Sequence, residues 1–481
     1  MVLAFAPFGV FLLAPFLLLP LIHGFLTASP KTAAGYGFWF GAGLFLAGTY
    51  WLYNSIHVFG GAPLALAIFL MLALVAIMGL YYAAAGWLTA RIVAGEPLVL
   101  LFVAPSVWVA VEWFRGWFLS GFPWLAIGYS QVDSPLAGLA PLSGVYGISL
   151  AVTITATALV VIFHRDRAYR WSLGLVALLP WVAGWAIGGI EWTQQAGPAV
   201  RTTIVQGGVS QDQKWQPEQF LPTLTMYRDS LAENPASEII VWPEVAIPAL
   251  LRYVEDYVDV LQLDLQSHER ALLFGILEQD LATGAVYNSV VLLDGVDRQV
   301  YRKRHLVPFG EFFPVPHFVR EWMRLMSLPY WDISAGETVQ PLLQTPGGLQ
   351  LAVAICYEDA YATEQLYALP DASIFINVSN DAWFGDSIAP FQHLEIARMR
   401  AKEVGRPVVR ATNTGVSAFI AADGTASSML AQFTRDSASA DVMPRSGLTP
   451  YARFGNIPII TLVLVAIAAC AWRGRGRWKN R

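Results

Sequence analysis

Three side chains that could together carry out acyl transfer each follow an apolar, strand-like run in the second half of the chain. They are Glu244, Lys303 and Cys356. A carboxylate can take the proton of a thiol, and the resulting thiolate can attack a carbonyl carbon. An ammonium group can then stabilise the oxyanion that this attack creates. Strand ends are where sites assemble in open α/β sheets, so these positions are candidates for one acyl-transfer site.

A histidine offers a second choice of base. His305 lies two residues beyond Lys303, and on an extended strand the two side chains would share one face. From the residues alone, a pair of Cys356 with His305 ranks equally with a pair of Cys356 with Glu244. The sequence has no His, Cys and Asp cluster with metal-ligand spacing and no glycine-rich nucleotide loop. It therefore predicts no metal and no cofactor.

The elements that must position these residues form one predicted domain over 198–445. Its apolar runs end in polar residues, and helix-like stretches alternate with several of them. This alternation predicts a layered α/β fold. The strand-like runs cover 202–206, 238–244, 272–278, 289–293, 349–356, 372–379 and 408–420, and the helix-like stretches cover 216–232, 250–267 and 391–404.

The rest of the chain is far more apolar than a water-soluble protein. The 481 residues are 56% hydrophobic and 14% charged, whereas a soluble chain carries about 25% charged residues. This composition excludes a wholly soluble, a disordered or a nucleic-acid-binding protein. Crossing about 30 Å of hydrocarbon takes roughly 20 residues, so we predict a transmembrane helical bundle over 1–190 and a C-terminal transmembrane helix at 456–472. The predicted spans are 7–27, 35–56, 63–90, 97–115, 143–163, 171–190 and 456–472.

The charge distribution orients these spans. Residues 1–190 contain ten charged residues, whereas 191–472 contain 31 acidic and 19 basic residues. The basic loop at 164–170 and the Arg- and Lys-rich tail at 473–481 should be cytoplasmic. The predicted α/β domain then lies outside the cytoplasm, in the periplasm of a bacterium with two membranes. Seven spans also put Met1 outside, so we expect that one span is miscounted or that an N-terminal helix is missing from this chain.

Longer strings around the candidate residues resemble the nitrilase superfamily and, within it, the apolipoprotein N-acyltransferases of bacterial inner membranes. The similarity covers nearly the whole chain, and several strings are long. It implies a polytopic α-helical membrane domain, with eight spans in the family, and an extracytoplasmic α/β nitrilase-like domain built as an αββα sandwich. The matching strings are Gly121-Phe122-Pro123-Trp124, Gly128-Tyr129-Ser130-Gln131, Trp242-Pro243-Glu244, Tyr301-Arg302-Lys303, His305-Leu306-Val307-Pro308-Phe309-Gly310-Glu311, Ile355-Cys356-Tyr357-Glu358, Ser379-Asn380-Asp381-Ala382-Trp383-Phe384-Gly385 and Gly447-Leu448-Thr449-Pro450-Tyr451-Ala452-Arg453.

The resemblance implies a role for each member of the catalytic set. Glu244 would be the general base, Lys303 would stabilise the tetrahedral intermediate, and Cys356 would be the nucleophile. The matching strings thus favour Glu244 over His305 as the base.

Four further residues match positions on which members of the family depend. Glu311 would keep the site residues in position or assist as a second acid–base group. The alternative for Glu311 is an ion pair with a neighbouring arginine. Trp215 would line the acyl or lipid pocket, and the alternative is ordinary packing. Tyr357 and Glu358 directly follow the nucleophile.

The resemblance also supplies the reaction. The acyl donor would be a glycerophospholipid, and the acceptor would be the free α-amino group of the S-diacylglyceryl-cysteine at a lipoprotein N-terminus. The reaction would be ping-pong through a Cys356 thioester, as the last step of bacterial lipoprotein maturation. The enzyme would be a multi-pass protein of the inner membrane with its catalytic domain in the periplasm.

Two other classes of function are open. A membrane-anchored amidase or hydrolase of the nitrilase type would release its acyl group to water. The second class is a transporter or a scaffold with a non-catalytic extracytoplasmic domain, and a transporter would place ionisable residues inside its spans. Among the Asp, Glu, Lys and Arg residues only Glu112 and Arg115 fall within a predicted span, and they are close to its end. This placement argues against transport.

One aromatic and methionine-rich segment lies beside the candidate site in the sequence. It covers 312–333 and includes six phenylalanine, tryptophan and tyrosine residues. We interpret it either as a membrane-facing lid that admits two diacyl substrates in turn or as a packed helix.

Overall fold

A computed structural model describes residues 1–266, 270–308, 310–312 and 333–478 of the chain. Its contacts divide the chain into two units, which we call the helical unit and the sheet unit. The helical unit comprises Met1–Trp192, Asp386–Val404 and Leu448–Arg481, and the sheet unit comprises Thr193–Gly385 and Gly405–Gly447. This division differs from the predicted domain over 198–445, because the stretch before Gly405 groups with the helical unit.

The α-helices follow the apolar and periodic stretches of the sequence. Those numbered α8 and α9 belong to the sheet unit, and the others belong to the helical unit. Over the described residues they are α1 (Leu13–Leu17), α2 (Leu19–Thr27), α3 (Pro30–Gly48), α4 (Leu64–Val93), α5 (Pro97–Arg115), α6 (Ala140–Phe163), α7 (Arg170–Gly188), α8 (Pro217–Glu233), α9 (Glu255–Gln266), α10 (Ala389–Val404), α11 (Pro450–Phe454) and α12 (Ile457–Trp478).

Four stretches of helix in the described part of the chain are long and apolar enough to cross a membrane. They are Leu64–Val93, Pro97–Arg115, Pro135–Phe163 and Arg167–Gly188. The first predicted span, 7–27, is instead divided between the short helices α1 and α2. Proline at the start of α2 cannot donate a backbone hydrogen bond to a continuous helix. The predicted spans 35–56 and 456–472 overlap α3 and α12, which are not among these four stretches, so these two spans stay predictions.

Helix α10 groups with the helical unit because its polar side chains bond within that unit. Gln392 Oε1 accepts hydrogen bonds from the indole nitrogens of Trp51 and Trp124, at 3.2 and 2.7 Å. Glu403 Oε1 accepts a 2.7 Å bond from the backbone N–H of Val145. A buried polar group is stable only when it is hydrogen-bonded, and these contacts meet that need.

The two charged residues near the end of a predicted span are also held within the helical unit. Glu112 Oε1 accepts hydrogen bonds from Trp108 Nε1 and from the N–H of Ile127, both at 2.8 Å. Arg115 donates to the carbonyl oxygen of Trp124 at 2.7 Å. These contacts give both side chains a structural role in the loop that follows α5.

The sheet unit contains two large β-sheets. One has the strand order β14-β2-β3-β5-β6-β7, with β4 beside β5, and the other has the order β13-β12-β11-β10-β9-β8. A short antiparallel pair joins β1 to β15. The strands are β1 (Gln194–Gln195), β2 (Val200–Gln206), β3 (Ile239–Val241), β4 (Ile247–Leu250), β5 (Ala271–Gln279), β6 (Val286–Leu293), β7 (Arg298–Arg302), β8 (Leu343–Gln344), β9 (Gln350–Ile355), β10 (Ile374–Ser379), β11 (Val408–Thr412), β12 (Ala418–Ile420), β13 (Ala426–Ser427), β14 (Asp436–Val442) and β15 (Arg445–Ser446).

The core of the sheet unit lies between these two sheets. Fully buried residues of the first sheet, such as Val241 and Val290, pack in one cluster with Ile355 and Ile376 of the second. A second cluster joins the other face of the first sheet to α8 and α9, through residues such as Trp242. In both sheets the central strands run parallel, β2 with β3 and β5, and β9 with β10 and β11. Their carboxyl ends therefore meet at shared edges.

Candidate active site

Glu244 lies three residues beyond the end of β3, inside the sheet unit. The side chain is buried, at 6% exposure. Its Oε1 accepts a 2.7 Å hydrogen bond from Asn288 Nδ2, and its Oε2 accepts a 2.8 Å bond from the N–H of Asn380. The carboxylate is therefore fixed in one orientation by donors from β6 and from the loop after β10.

Lys303 directly follows β7 and is almost completely buried. Its backbone N–H donates to the carbonyl oxygen of Asn288, which extends the pairing with β6 by one residue. The ammonium nitrogen lies 2.8 Å from Glu311 Oε1 and 3.5 Å from Glu244 Oε1. Burial alone would lower the pKa of Lys303, but the carboxylates of Glu311 and Glu244 outweigh burial and raise it. Lys303 is therefore a charged ammonium group at neutral pH.

Cys356 directly follows β9 at a sharp turn. Its φ of 54° lies in the left-handed region, which is costly for a residue with a Cβ atom. Burial and the carboxylate of Glu244 raise the pKa of the Cys356 thiol, whereas Lys303 lowers it, and the net shift is strongly upward. The thiol is therefore protonated at rest and needs a base before it can attack.

The predicted set is thus brought together in one place. The thiol of Cys356 interacts electrostatically with both Glu244 and Lys303. Three separate stretches of sequence, 59 and 53 positions apart, supply these groups from the ends of β3, β7 and β9. The arrangement brings a buried carboxylate, a buried cation and a partly buried thiol into a common site.

Glu358 ties the turn at Cys356 to the loop that carries Lys303. Its carboxylate accepts hydrogen bonds from the backbone N–H groups of Ile355 and Arg304, both at 2.7 Å. The hydroxyl of Tyr301 donates to the same carboxylate at 3.1 Å. Burial raises the pKa of Glu358, although these hydrogen bonds act in the opposite direction. One buried carboxyl group thus links the backbone next to Cys356 with the backbone next to Lys303.

Glu311 pairs with Lys303 and not with a neighbouring arginine. Besides its contact with Lys303, its Oε2 accepts a 2.8 Å hydrogen bond from the N–H of Val307. The arginine Arg302 pairs instead with Glu278, at 2.7 Å. Glu311 therefore holds Lys303 and closes the loop that follows it.

The histidine that the sequence offered as a second base has other partners. His305 lies outside β7, stacks on the ring of Tyr361 at a centroid distance of 3.5 Å, and contacts Glu364 through Nδ1 at 2.9 Å. Tyr357 meets Tyr361 edge to face at 5.1 Å. The rings of His305, Tyr357 and Tyr361 thus form one aromatic cluster.

Trp215 is half exposed, at 52%, and does not pack as a core residue. It lines a surface cavity together with its neighbour Lys214. The predicted lid over 312–333 falls almost entirely outside the described residues.

Several polar residues that complete the site were missed in the sequence. Asn288 bridges the two carboxylates, because its Nδ2 donates both to Glu244 and, at 3.1 Å, to Glu311. Beneath the site, the fully buried Arg410 pairs with Asp381 at 2.9 Å. Ser379 Oγ donates to the same aspartate at 2.8 Å. Asp381 stands in one of the strings that carried the resemblance, and that string was the only signal for this network.

Two protein-family models match the chain. The apolipoprotein N-acyltransferase N-terminal domain matches residues 1–158, and the carbon-nitrogen hydrolase family matches residues 201–451. An apolipoprotein N-acyltransferase of Methylococcus capsulatus is 41% identical over 474 residues, which are 98% of this chain and 94% of the relative. One of Azotobacter vinelandii is 40% identical over 483 residues, which are 99% of this chain and 93% of the relative. Among solved structures, a mutant of the Nesterenkonia AN1 amidase from the nitrilase superfamily matches 55% of this chain and 97% of its own, with 16% identity and a TM-score of 0.42.

Proposed function

The chain belongs to the apolipoprotein N-acyltransferase family, and on that premise we propose that Cys356 carries an acyl group from a glycerophospholipid to the α-amino group of a lipoprotein. The predicted family and the nitrilase-like fold are confirmed. The chain is accordingly a membrane acyltransferase of lipoprotein biosynthesis with lipid and lipoprotein substrates.

The observation that carries this proposal is the cluster of Glu244, Lys303 and Cys356, in which the two charged groups are buried and the thiol is partly buried. A neutral thiol beside a fixed carboxylate and a fixed ammonium group is the arrangement that covalent acyl transfer needs. The four apolar helices support a reaction whose substrates are both held in a membrane.

The reaction proceeds in two half-reactions that share these groups. In the first, Glu244 takes the thiol proton, the sulfur of Cys356 attacks the ester carbonyl, and Lys303 stabilises the oxyanion. The C–O bond then breaks, and the lysophospholipid leaves with the proton from Glu244. In the second, the acceptor amine attacks the thioester, Glu244 takes a proton from the amine, and the released thiolate recovers that proton. An amide forms, and the enzyme returns to its starting state.

The decisive experiment supplies both substrates to the purified full-length protein in detergent. A phospholipid with a labelled acyl chain is mixed with a synthetic diacylated lipopeptide, and mass spectrometry follows both. We expect the lipopeptide to gain one acyl chain and lysophospholipid to appear in equal amount. Labelled free fatty acid in place of acylated lipopeptide would support the rival membrane-anchored hydrolase.

Lys303→Met should slow both half-reactions by about 10²- to 10³-fold, because removing one oxyanion-stabilising donor typically costs that much. The change leaves the thiol and its base in place, so slow thioester formation should still be detectable in long incubations. The rate of Cys356 acylation by phospholipid, measured by intact mass, checks this.

The neighbouring Arg302→Met is a matched control for that variant. It removes one positive charge from the same strand end, but its side chain pairs with Glu278 outside the catalytic cluster. An equal loss of rate in the two variants would contradict the role of Lys303 as oxyanion stabiliser.

We also propose that the protein lies in the bacterial inner membrane with the sheet unit in the periplasm. The basic loop at 164–170 and the basic tail support this orientation. Ala236 lies in an exposed turn after α8. A reporter enzyme that functions only in the periplasm should be active when it is inserted there, and one that functions only in the cytoplasm should be inactive. A reporter fused after Arg481 should behave as cytoplasmic. The reverse result at either position would contradict the orientation.

A further inference from the structure

A surface cavity of the sheet unit lies beside Glu244, because its lining residue Lys214 contacts the backbone of Glu244. Its volume is about 290 Å³, which is close to the lower limit for small-molecule sites. The wall combines apolar rings with one cation and one amide. The lining residues are Lys214, Trp215, Gln216, Pro217, Phe220 and Pro248.

Lys214 is the unusual member of this wall. The side chain is only 4% exposed, and its ammonium nitrogen donates to the backbone carbonyl oxygen of Glu244 at 3.2 Å. An ammonium group has three donors. Within the part of the chain that the structure describes, that carbonyl is its only hydrogen-bond partner, and no carboxylate lies within ion-pair distance. A buried cation with donors to spare is costly unless an anion joins it.

The pKa of Lys214 is consistent with a missing anion. Burial lowers this pKa to about 8, and the attraction of Glu244 offsets burial only in part. An anion bound in the cavity would raise this pKa again and stabilise the charged form.

The cavity is joined to the catalytic cluster through short, direct contacts. Glu244 presents its carbonyl oxygen to Lys214 and its carboxylate to Lys303. The same loop after β2 is tied to the site by Gln211, whose Oε1 accepts a 2.9 Å hydrogen bond from Asn380 Nδ2. A ligand in the cavity and an acyl group on Cys356 would therefore both lie near Glu244.

We propose that this cavity is the subsite for the phosphate group of the acyl donor, with the ammonium group of Lys214 as the group that binds it. The inference rests on the proposed function, since it assigns a place to one part of that donor. In a glycerophospholipid the glycerol backbone alone separates the phosphate from the reacting ester, and the cavity wall and the thiol are likewise both neighbours of Glu244. The exposed ring of Trp215 offers a face to a cationic head group next to that phosphate.

The test compares two acyl donors that carry the same fatty acid. One is a phospholipid, and the other is a p-nitrophenyl ester, which has no phosphate. We measure kcat/KM for acylation of Cys356 by each donor, using the full-length protein in detergent. In Lys214→Met, kcat/KM for the phospholipid divided by kcat/KM for the nitrophenyl ester should fall about 10- to 100-fold. A hydrogen bond to a charged group typically contributes this factor.

The controls separate phosphate binding from other roles of the lysine. Arg252→Met removes an exposed positive charge from the same unit and should leave the ratio as in the unmodified protein. An unchanged ratio in Lys214→Met would overturn the proposal, whether both rates fall or neither does, because a lysine that only positions Glu244 affects the two donors equally. If the unmodified protein is acylated by the nitrophenyl ester but never by phospholipid, the proposed function itself fails.

A competition experiment distinguishes a lipid head group from free phosphate. sn-Glycero-3-phosphoethanolamine should inhibit acylation by phospholipid in the unmodified protein and much less in Lys214→Met. Inorganic phosphate should inhibit far more weakly. Equal inhibition by the two compounds would overturn the assignment of the cavity to the donor lipid.

Discussion

Cys356→Ala should abolish acyl transfer and thioester formation completely. The variant removes the atom that carries the acyl group, and loss of the nucleophile in a serine protease costs on the order of 10⁶-fold in rate. Alanine retains the Cβ atom, so the left-handed turn at this position is no more strained than before. The measurement is the mass of the peptide around position 356 after incubation with phospholipid, together with acylation of the lipopeptide.

The second cysteine of the chain provides the control. Cys470 lies in α12, and Cys470→Ala should retain full activity because this thiol has no reactive partner assigned to it. Thermal unfolding in detergent should be the same for both variants within a few degrees. Substantial lipopeptide acylation by Cys356→Ala would disprove the covalent mechanism.

Glu244→Gln should prevent the thioester from forming at all. The thiol of Cys356 is protonated at neutral pH, and an amide cannot take its proton. In the unmodified protein, Asn288 Nδ2 and the N–H of Asn380 both donate to the Glu244 carboxylate. The NH₂ group of a glutamine would face one of these donors and could not accept its hydrogen bond. Acylation of Cys356 by phospholipid alone, without acceptor, isolates this step.

Two companion variants make this result specific. Glu244→Asp keeps a carboxylate and should recover part of the rate, whereas a role in packing alone would not distinguish aspartate from glutamine. Glu278→Gln alters the carboxyl group that pairs with Arg302 and should leave the thioester step largely intact. A strong acyl adduct in Glu244→Gln would remove Glu244 from the role of base and bring His305 back into consideration.

Much of the sheet unit could be predicted because its sequence pattern is local. The run 372–379 predicted a strand that the structure has at Ile374–Ser379, and the stretch 216–232 predicted a helix found at Pro217–Glu233. Alternation of such elements is enough to indicate layers of helix and sheet. The run 408–420 was predicted as one strand, but a turn at 413–417 divides it into β11 and β12.

The parts of the site that escaped prediction depend on contacts between distant positions. Asn288 looks like an ordinary polar residue in the strand-like run of β6, and its role follows only from the pairing of β6 with β5 and β7. Lys214 stands among polar residues that predict an exposed loop. Its burial depends on how that loop folds against Glu244, 30 positions away. No local pattern of residue types encodes either fact.

The course of the chain through α10 restricts how the catalyst can be isolated. The chain leaves the sheet unit after Gly385 and re-enters it at Gly405, and the helix between these points keeps Gln392 and Glu403 bonded to residues before position 193. A fragment that covers only 193–447 would retain this helix but lose the donors that satisfy its buried side chains. Truncation at the two ends of the sheet unit should therefore yield an insoluble product, and a water-soluble version of the enzyme would require redesign of α10 itself.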